Sequence, residues 1–495
     1  MNAFRKLLQA IMITLLIVPM LQSCDGLLER TPYDGLIKSD FWQSEEDVRA
    51  AIMGCYDQLQ ECLENYIVWG EVRGDMLLVE RGNEAKDFNM QIISQYNELC
   101  NWKSFYVLIN RANSVIENAP AAQEIDGNFS AEEMEAMLAE CYFLRSLAYF
   151  YLVRTFKEVP LITASYATDD QEYYFPKNST SEILIQILED LDYAENTAKT
   201  SHNNPTEDHG RATKWTIQAL KADVLLWMGM EDPVYYERCV EEADKVIQSG
   251  VFHLEEGIDW FNLFYPGNSD ESIFELQYNA AFLEFNNLVD WFSTEGESPT
   301  YSVVLNNETS KVEFWNENLT SADGTRGKTR SYATVSGDNI VWKYSGSGLL
   351  ISRRRSAEFS DGNWIFYRLA DIHLIKAEAL NELGNVSESV TEINLIRERA
   401  ELPPVDVSIS KQNLAFEILE ERKRELAFEG KRWYDLLRFS SNYGSEYLVN
   451  RILKTWDDVE ISQRITNPES WYLPIYYEEL RINKSLVQNP YYDFQ

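Results

Sequence analysis

The residues best suited to zinc or proton-transfer chemistry are the four histidines, His202, His209, His253 and His373, and none falls in HExxH or at another helical metal spacing. A histidine zinc site is therefore not indicated. His373 belongs to the buried side of a predicted helix, where a hydrogen-bonded structural histidine is expected. Gly327-Lys328-Thr329 ends like a phosphate loop, but Ala322 stands where the first glycine is required. Neither GxSxG nor GxGxxG occurs. Glu421 and Glu425 stand one helical turn apart among Arg422, Lys423 and Arg424, which points to ion pairs at the surface or between helices. A glycoside-cleaving dyad would have to face a sugar across a cleft at a defined separation, and nothing in the pattern indicates one.

The chain has 495 residues and a formal charge of −36, with 45% hydrophobic and 13% aromatic residues. That is a globular composition with ample material for a core. Nucleic acid is excluded as a natural partner, because sequence-independent affinity for phosphates comes from Lys and Arg displacing counterions. Residues 1–23 read as an export signal. Arg5 and Lys6 precede an apolar run from Leu7 to Leu21, which at about 15 residues falls short of the roughly 20 that span hydrocarbon. No other segment is expected to span. Leu21-Gln22-Ser23-Cys24 places a small residue before a cysteine, as in a bacterial lipobox, and predicts cleavage before Cys24 and its acylation. Of the other cysteines, Cys55, Cys62, Cys100, Cys141 and Cys239, at least one must be unpaired, and small core residues are expected. No CxxC is present.

Helical periodicity dominates both ends. Ser44-Glu45-Glu46-Asp47 caps a stripe of Val48, Ala51, Ile52, Cys55, Tyr56 and Leu59. Similar stripes run from Trp102 to Ile116 and from Met134 to Leu152, and helices are predicted near 179–198, 212–229 and 234–248. Late in the chain Ile372 to Leu383, Val386 to Ala400 and Lys411 to Phe439 continue the pattern. Paired helices of this length predict a mostly α, tetratricopeptide-like stack of helix hairpins. Between 251 and 362 Gly, Ser, Asn and aromatic residues replace the stripes. One alternation, Ile273 to Tyr278, reads as a strand, and the rest reads as loops and short strands carrying aromatics without helical spacing. Loops on a rigid scaffold are where binding usually resides.

The segment from Ile418 to Arg438, which contains Glu421-Arg422, Glu425-Leu426, Phe428-Glu429-Gly430, Arg432-Trp433 and Asp435-Leu436, resembles the signature of the SusD/RagB family of outer-membrane lipoproteins of Bacteroidetes. Ala139 to Ser146 with Val159-Pro160-Leu161, Gly210 to Thr213, Ala377-Glu378-Ala379, Ile393-Asn394 with Ile396-Arg397, Leu473-Pro474-Ile475 and Gln488-Asn489-Pro490 are also similar, in family order. Two departures fall in loops: Lys157 follows Phe156 where glycine is usual, and Tyr476 follows Ile475 where proline is usual. The resemblance covers nearly the whole chain. It implies one domain made of an N-terminal helical region (24–250), a loop-rich, partly β variable insertion (251–362) and a C-terminal helical region (363–495).

It further implies a non-catalytic, lipid-anchored protein of the outer membrane that binds a glycan and delivers it to a SusC-like TonB-dependent transporter. A peptide or glycopeptide receptor on the same scaffold is the alternative, and a glycan-degrading enzyme the third. No cofactor or metal is implied, and a structural calcium ion is not derivable from the residues. A sugar reader needs an aromatic plane flanked by hydrogen-bonding side chains. In the family these come from the loop after the first helical region and from the insertion. The candidate site therefore combines Asp75, Arg81, Asn83 and Phe88 with Trp291, Tyr301, Trp315 and Trp342. The absence of tryptophan between Trp69 and Trp102 argues against starch as the ligand.

Overall fold

The computed structural model describes residues 41–166, 171–293, 299–304, 326–350, 352, 354–456 and 459–493. Cys24 and Trp315 lie outside them. The helical scaffold follows the sequence pattern closely. α1 (Glu45–Gln60) starts at Ser44, whose hydroxyl accepts from the Asp47 N–H above an acidic first turn. α2 (Lys103–Ile125) and α3 (Ala131–Phe156) follow, the second capped by Ser130. α4 (Thr180–Thr197) opens on a reciprocal Ser179–Glu182 capping box, α5 (Lys214–Met228) begins at Thr213, and α6 spans Val234–Ile247. Each packs chiefly on its sequence neighbour, and α6 continues onto α7 (Leu369–Glu382), which packs on α8 (Val386–Arg399) and α9 (Lys411–Glu425). Neighbour-on-neighbour packing of this kind is that of a stack of helix hairpins.

α3 is long and apolar enough to cross a membrane, against the expectation that no second segment would be. Of its 18-residue apolar stretch 94% is buried inside the molecule, so its all-round apolarity serves the core. The five cysteines from Cys55 to Cys239 are all free and buried. His373 is buried and hydrogen-bonded through Nδ1 to Glu392 at 2.7 Å.

Six short strands pair antiparallel in twos: β1 (Leu77–Val79) with β3 (Tyr301–Val303), β2 (Ser272–Leu276) with β6 (Trp364–Arg368), and β4 (Tyr332–Val335) with β5 (Asp338–Val341). The alternation at Ile273 to Tyr278 falls on the strand β2, and every residue of β2 and β6 is buried. The polar members are matched inside: Glu275 accepts from Asn363 Nδ2 at 2.7 Å and Arg368 meets Glu271 at 2.7 Å. The main hydrophobic core draws residues from Val48 to Leu486, with a smaller cluster among α7, α8 and α9 and another around Trp342.

The signature segment joins the C-terminal helices to the rest. Glu421 and Glu425, which the sequence placed at the surface or between helices, are fully buried: Arg326 Nη1 lies 2.7 Å from both, Arg397 reaches Glu421, and Arg368 and Arg399 reach Glu425. With Arg424, which also reaches Glu421 at 2.8 Å, five guanidiniums around two carboxylates make burial tolerable, since each carboxylate is both paired and hydrogen-bonded. Downstream, α10 (Arg432–Tyr443) carries Trp433, over which Arg73 stacks at 4.3 Å, and Asp435, which Arg422 meets at 3.0 Å and Arg438 at 2.6 Å.

Candidate functional site

The end of α1 and the segment after β2 form a cleft of about 270 Å³. One wall is Gln60, Glu61, Leu63 and Glu64, where α1 gives way to the short helix Leu63–Ile67; the other is Tyr278, Phe285, Asn286, Asn287 and Trp291. The walls are held by hydrogen bonds, several of them made by the lining side chains themselves. Gln60 Nε2 donates to the Gln277 carbonyl at 2.8 Å, tying α1 to the chain leaving β2. Asn286 is fixed at three points: its N–H and Nδ2 donate to the carbonyls of Ser360 and Gly362, and its Oδ1 accepts from Ser360 Oγ at 2.6 Å. Tyr278 is anchored by its N–H donating to Asn363 Oδ1 at 3.0 Å. Trp291 sits on the one-turn helix Leu288–Phe292 and stays half-buried, while Phe285 is 37% exposed.

Electrostatically the cleft is acidic. Burial raises the Glu64 carboxyl above its ordinary range, and the nearby Glu84 carboxylate adds to the effect. Among the described residues lining the cleft there is no Lys or Arg. Three aromatic side chains, three amide side chains and two carboxylates are together suited to a ligand with C–H faces and many hydroxyls, and poorly suited to an anion.

Of the predicted site residues, the β1–β3 pairing brings three together. Val79 lies opposite Tyr301, and beyond it Arg81 Nη2 donates to Thr300 Oγ1 at 3.4 Å. Phe292, beside Trp291, packs 6.0 Å from Tyr301. Trp291 lines the cleft as expected. Tyr301 does not offer its ring: only 1% of it is accessible, because β3 turns it inward against Phe292. Asn83 opens the short helix Asn83–Asn89. Phe88 is a core residue with no accessible surface, on the inner face of that helix. Asp75 is buried and bonded by Arg432 at 2.7 Å and Arg451 at 2.6 Å. Trp342 is also interred, its indole N–H donating to the Gly348 carbonyl at 2.8 Å within a small cluster with Phe261, Ala333 and Ile340. These four corrections share a cause: an aromatic or charged residue in a loop region is as readily consumed by packing the loop as by facing solvent.

The sequence reading missed Gln60, Glu61, Glu64, Tyr278, Phe285, Asn286 and Asn287. Phe285-Asn286-Asn287, an aromatic next to two amides in the loop-rich region, was the available signal. Glu61 and Glu64 carried none, because acidic residues at a helix end are commonplace.

Two family models match, one described as the SusD family over residues 258–492 and one described as starch-binding and associating with the outer membrane over residues 27–226. The chain belongs to the SusD/RagB family. Among SusD-like relatives, SusD-like protein P38 of Formosa agariphila is 29% identical over 469 residues, covering 84% of this chain and 88% of that protein. A SusD superfamily crystal structure from Bacteroides thetaiotaomicron superposes with a TM-score of 0.72 at 22% identity, covering 91% of this chain and 99% of the other. A laminarin-binding SusD-like protein superposes with a TM-score of 0.71 at 20% identity, over 90% and 99%. At these identities the structural likenesses speak for the shared SusD fold, mostly α with few short strands.

Proposed function

We propose that the protein is a lipid-anchored receptor at the cell surface that binds a neutral glycan in the cleft between α1 and the Tyr278–Trp291 segment and delivers it to a SusC-like TonB-dependent transporter of the outer membrane. Family membership supports outer-membrane association and glycan binding. The observation that carries the reading is the pair of accessible rings, Trp291 and Phe285, beside the amides of Gln60, Asn286 and Asn287 in one cleft. A pyranose lays its C–H face on a ring of this kind while its equatorial hydroxyls bond the amides.

No bond is broken in this reading. Glu61 and Glu64 stand one helical turn apart on the same wall, whereas glycoside cleavage needs carboxylates on opposite sides of the scissile bond. Weak single contacts suit a receptor that must release cargo, and repeated units along a polymer restore avidity.

Calorimetric titration with laminarihexaose and maltohexaose tests the site. Trp291→Ala should weaken binding at least about tenfold, the loss of one aromatic stacking contact, and no shorter sugars should appear on incubation. Unchanged affinity in Trp291→Ala with Phe285→Ala would remove the cleft from the proposal. Cys24→Ala should move the protein out of the membrane fraction, since its acyl chains are the anchor, and a TonB-dependent porin should co-purify with the acylated form only.

A further inference from the structure

A second cleft, of about 490 Å³, opens beyond the other end of β2, lined by Trp215 of α5, Val251, Phe252, Asp208, His209 and Asp270, with Thr200 at its rim. Its volume is within the range of about 300–1,000 Å³ typical of small-molecule sites. We infer that it is a second saccharide subsite, for one neutral hexose unit. This rests on the reading of the chain as a glycan receptor but not on the first cleft.

Three features carry the inference. Trp215 is a held platform: its indole N–H donates to the Thr200 carbonyl at 3.2 Å, which fixes the ring while leaving it only partly buried. Val251 is 50% exposed and continues the apolar floor formed with Phe252.

The second feature is the polar lining, which is rich in acceptors. His209 Nδ1 lies 2.8 Å from the Ser272 carbonyl. A carbonyl only accepts, so Nδ1 carries the proton, and in the neutral ring Nε2 is left as an acceptor. Asp208 accepts from Ser201 Oγ at 2.9 Å and keeps further lone pairs. Asp270 is exposed, and its main-chain carbonyl, not its carboxylate, holds His253 N–H at 2.9 Å. Sugar hydroxyls can donate to all three.

The third is charge: two carboxylates and no Lys or Arg line the cleft, so a uronate or sulfated unit would be repelled. The two clefts lie at opposite ends of β2, one beside Asp270 and the other beside Tyr278. At about 3.3 Å per strand residue they are roughly 20–25 Å apart, so occupancy of one does not block the other.

The test uses full-length mature protein labelled with 5-fluorotryptophan, the Trp215 and Trp291 resonances being assigned with Trp215→Phe and Trp291→Phe. Laminarihexaose, maltohexaose and glucuronate are the probes. A hexasaccharide should move the Trp215 signal in a saturable way, and glucuronate should leave it in place. Val251→Glu, a change at a half-exposed position of the cleft floor, should weaken the Trp215 response at least about tenfold while sparing that of Trp291. A Trp215 signal unmoved by both hexasaccharides overturns the second subsite. If the Trp291 signal moves then, the receptor reading stands without it. If neither moves, both fall. A Trp215 response alone upholds the second subsite and removes the first cleft.

Discussion

Asp75 shows how a carboxylate suited to sugar recognition can be committed elsewhere. Burial opposes its ionisation, but Arg432 and Arg451 outweigh burial and hold it well below the usual carboxylate range. Asp371, between Lys431 and Arg422, and Glu421, beside Arg326 and Arg424, are buried too, and the same competition brings each to about 2. The sign of the consequence follows. Unfolded Asp and Glu titrate near about 4, so as pH falls the unfolded chain takes up protons before the folded one does. The stability these residues contribute is present above that range and is lost as pH falls toward 2. The thermal midpoint should therefore drop steeply between about pH 4.5 and pH 2, and the drop should persist in 1 M salt, since buried pairs are little screened. A midpoint that stays level to pH 2.5 would contradict the assignment of these groups as charged in the fold.

Packing between elements turns on one close approach. A Cβ built on Gly70 would stand 1.9 Å from the carbonyl oxygen of Gly430, so the π-helical turn Val68–Val72 and the loop before α10 touch backbone to backbone. Glu71 completes the joint, its two oxygens accepting the N–H groups of Phe428 and Gly430 at 2.9 and 3.1 Å. Gly70→Ala should cost at least about 3 kcal/mol, because neither backbone can give way. Gly54→Ala, with nothing within 4 Å of the new Cβ in the middle of α1, should instead stabilise by about 0.5–1 kcal/mol. Chemical denaturation of the two variants measures both. The helices on either side of this joint were legible in the sequence because period and caps are local: Ser44 marks the start of α1, and the starts expected near 179 and 212 fall within two residues of those of α4 and α5. The joint was not, since Gly70 and Gly430 meet across 360 positions. The same distinction governs the site. Trp291 could be singled out because an unstriped tryptophan is conspicuous, whereas Phe88 and Trp342 are buried, and nothing local in the sequence tells an aromatic that packs inward from one that faces solvent.

At the scale of the whole molecule, net charge and site charge act together on what can be carried. The formal charge is −36, and both clefts present carboxylates with no Lys or Arg among their described lining residues. An anionic oligosaccharide must approach against the general field and then sit beside Glu61 and Glu64, whereas a neutral one meets neither cost. The general part is screened beyond about 10 Å at 0.1 M salt, while the part inside a narrow cleft is not. Neutral hexasaccharide affinity should thus change less than about twofold between 0.02 and 0.5 M sodium chloride. An oligouronate of equal length should bind at least about tenfold more weakly at low salt and recover only partly as salt rises. Replacing Glu61 and Glu64 together by glutamine separates the two contributions: it should narrow the gap that remains at high salt, because the local carboxylates and not the molecular charge set it. If the oligouronate instead bound more tightly than the neutral sugar, the cleft would have to draw on a cation outside its lining, and Arg81, held by Thr300 at the end of β1, would be the first residue to replace.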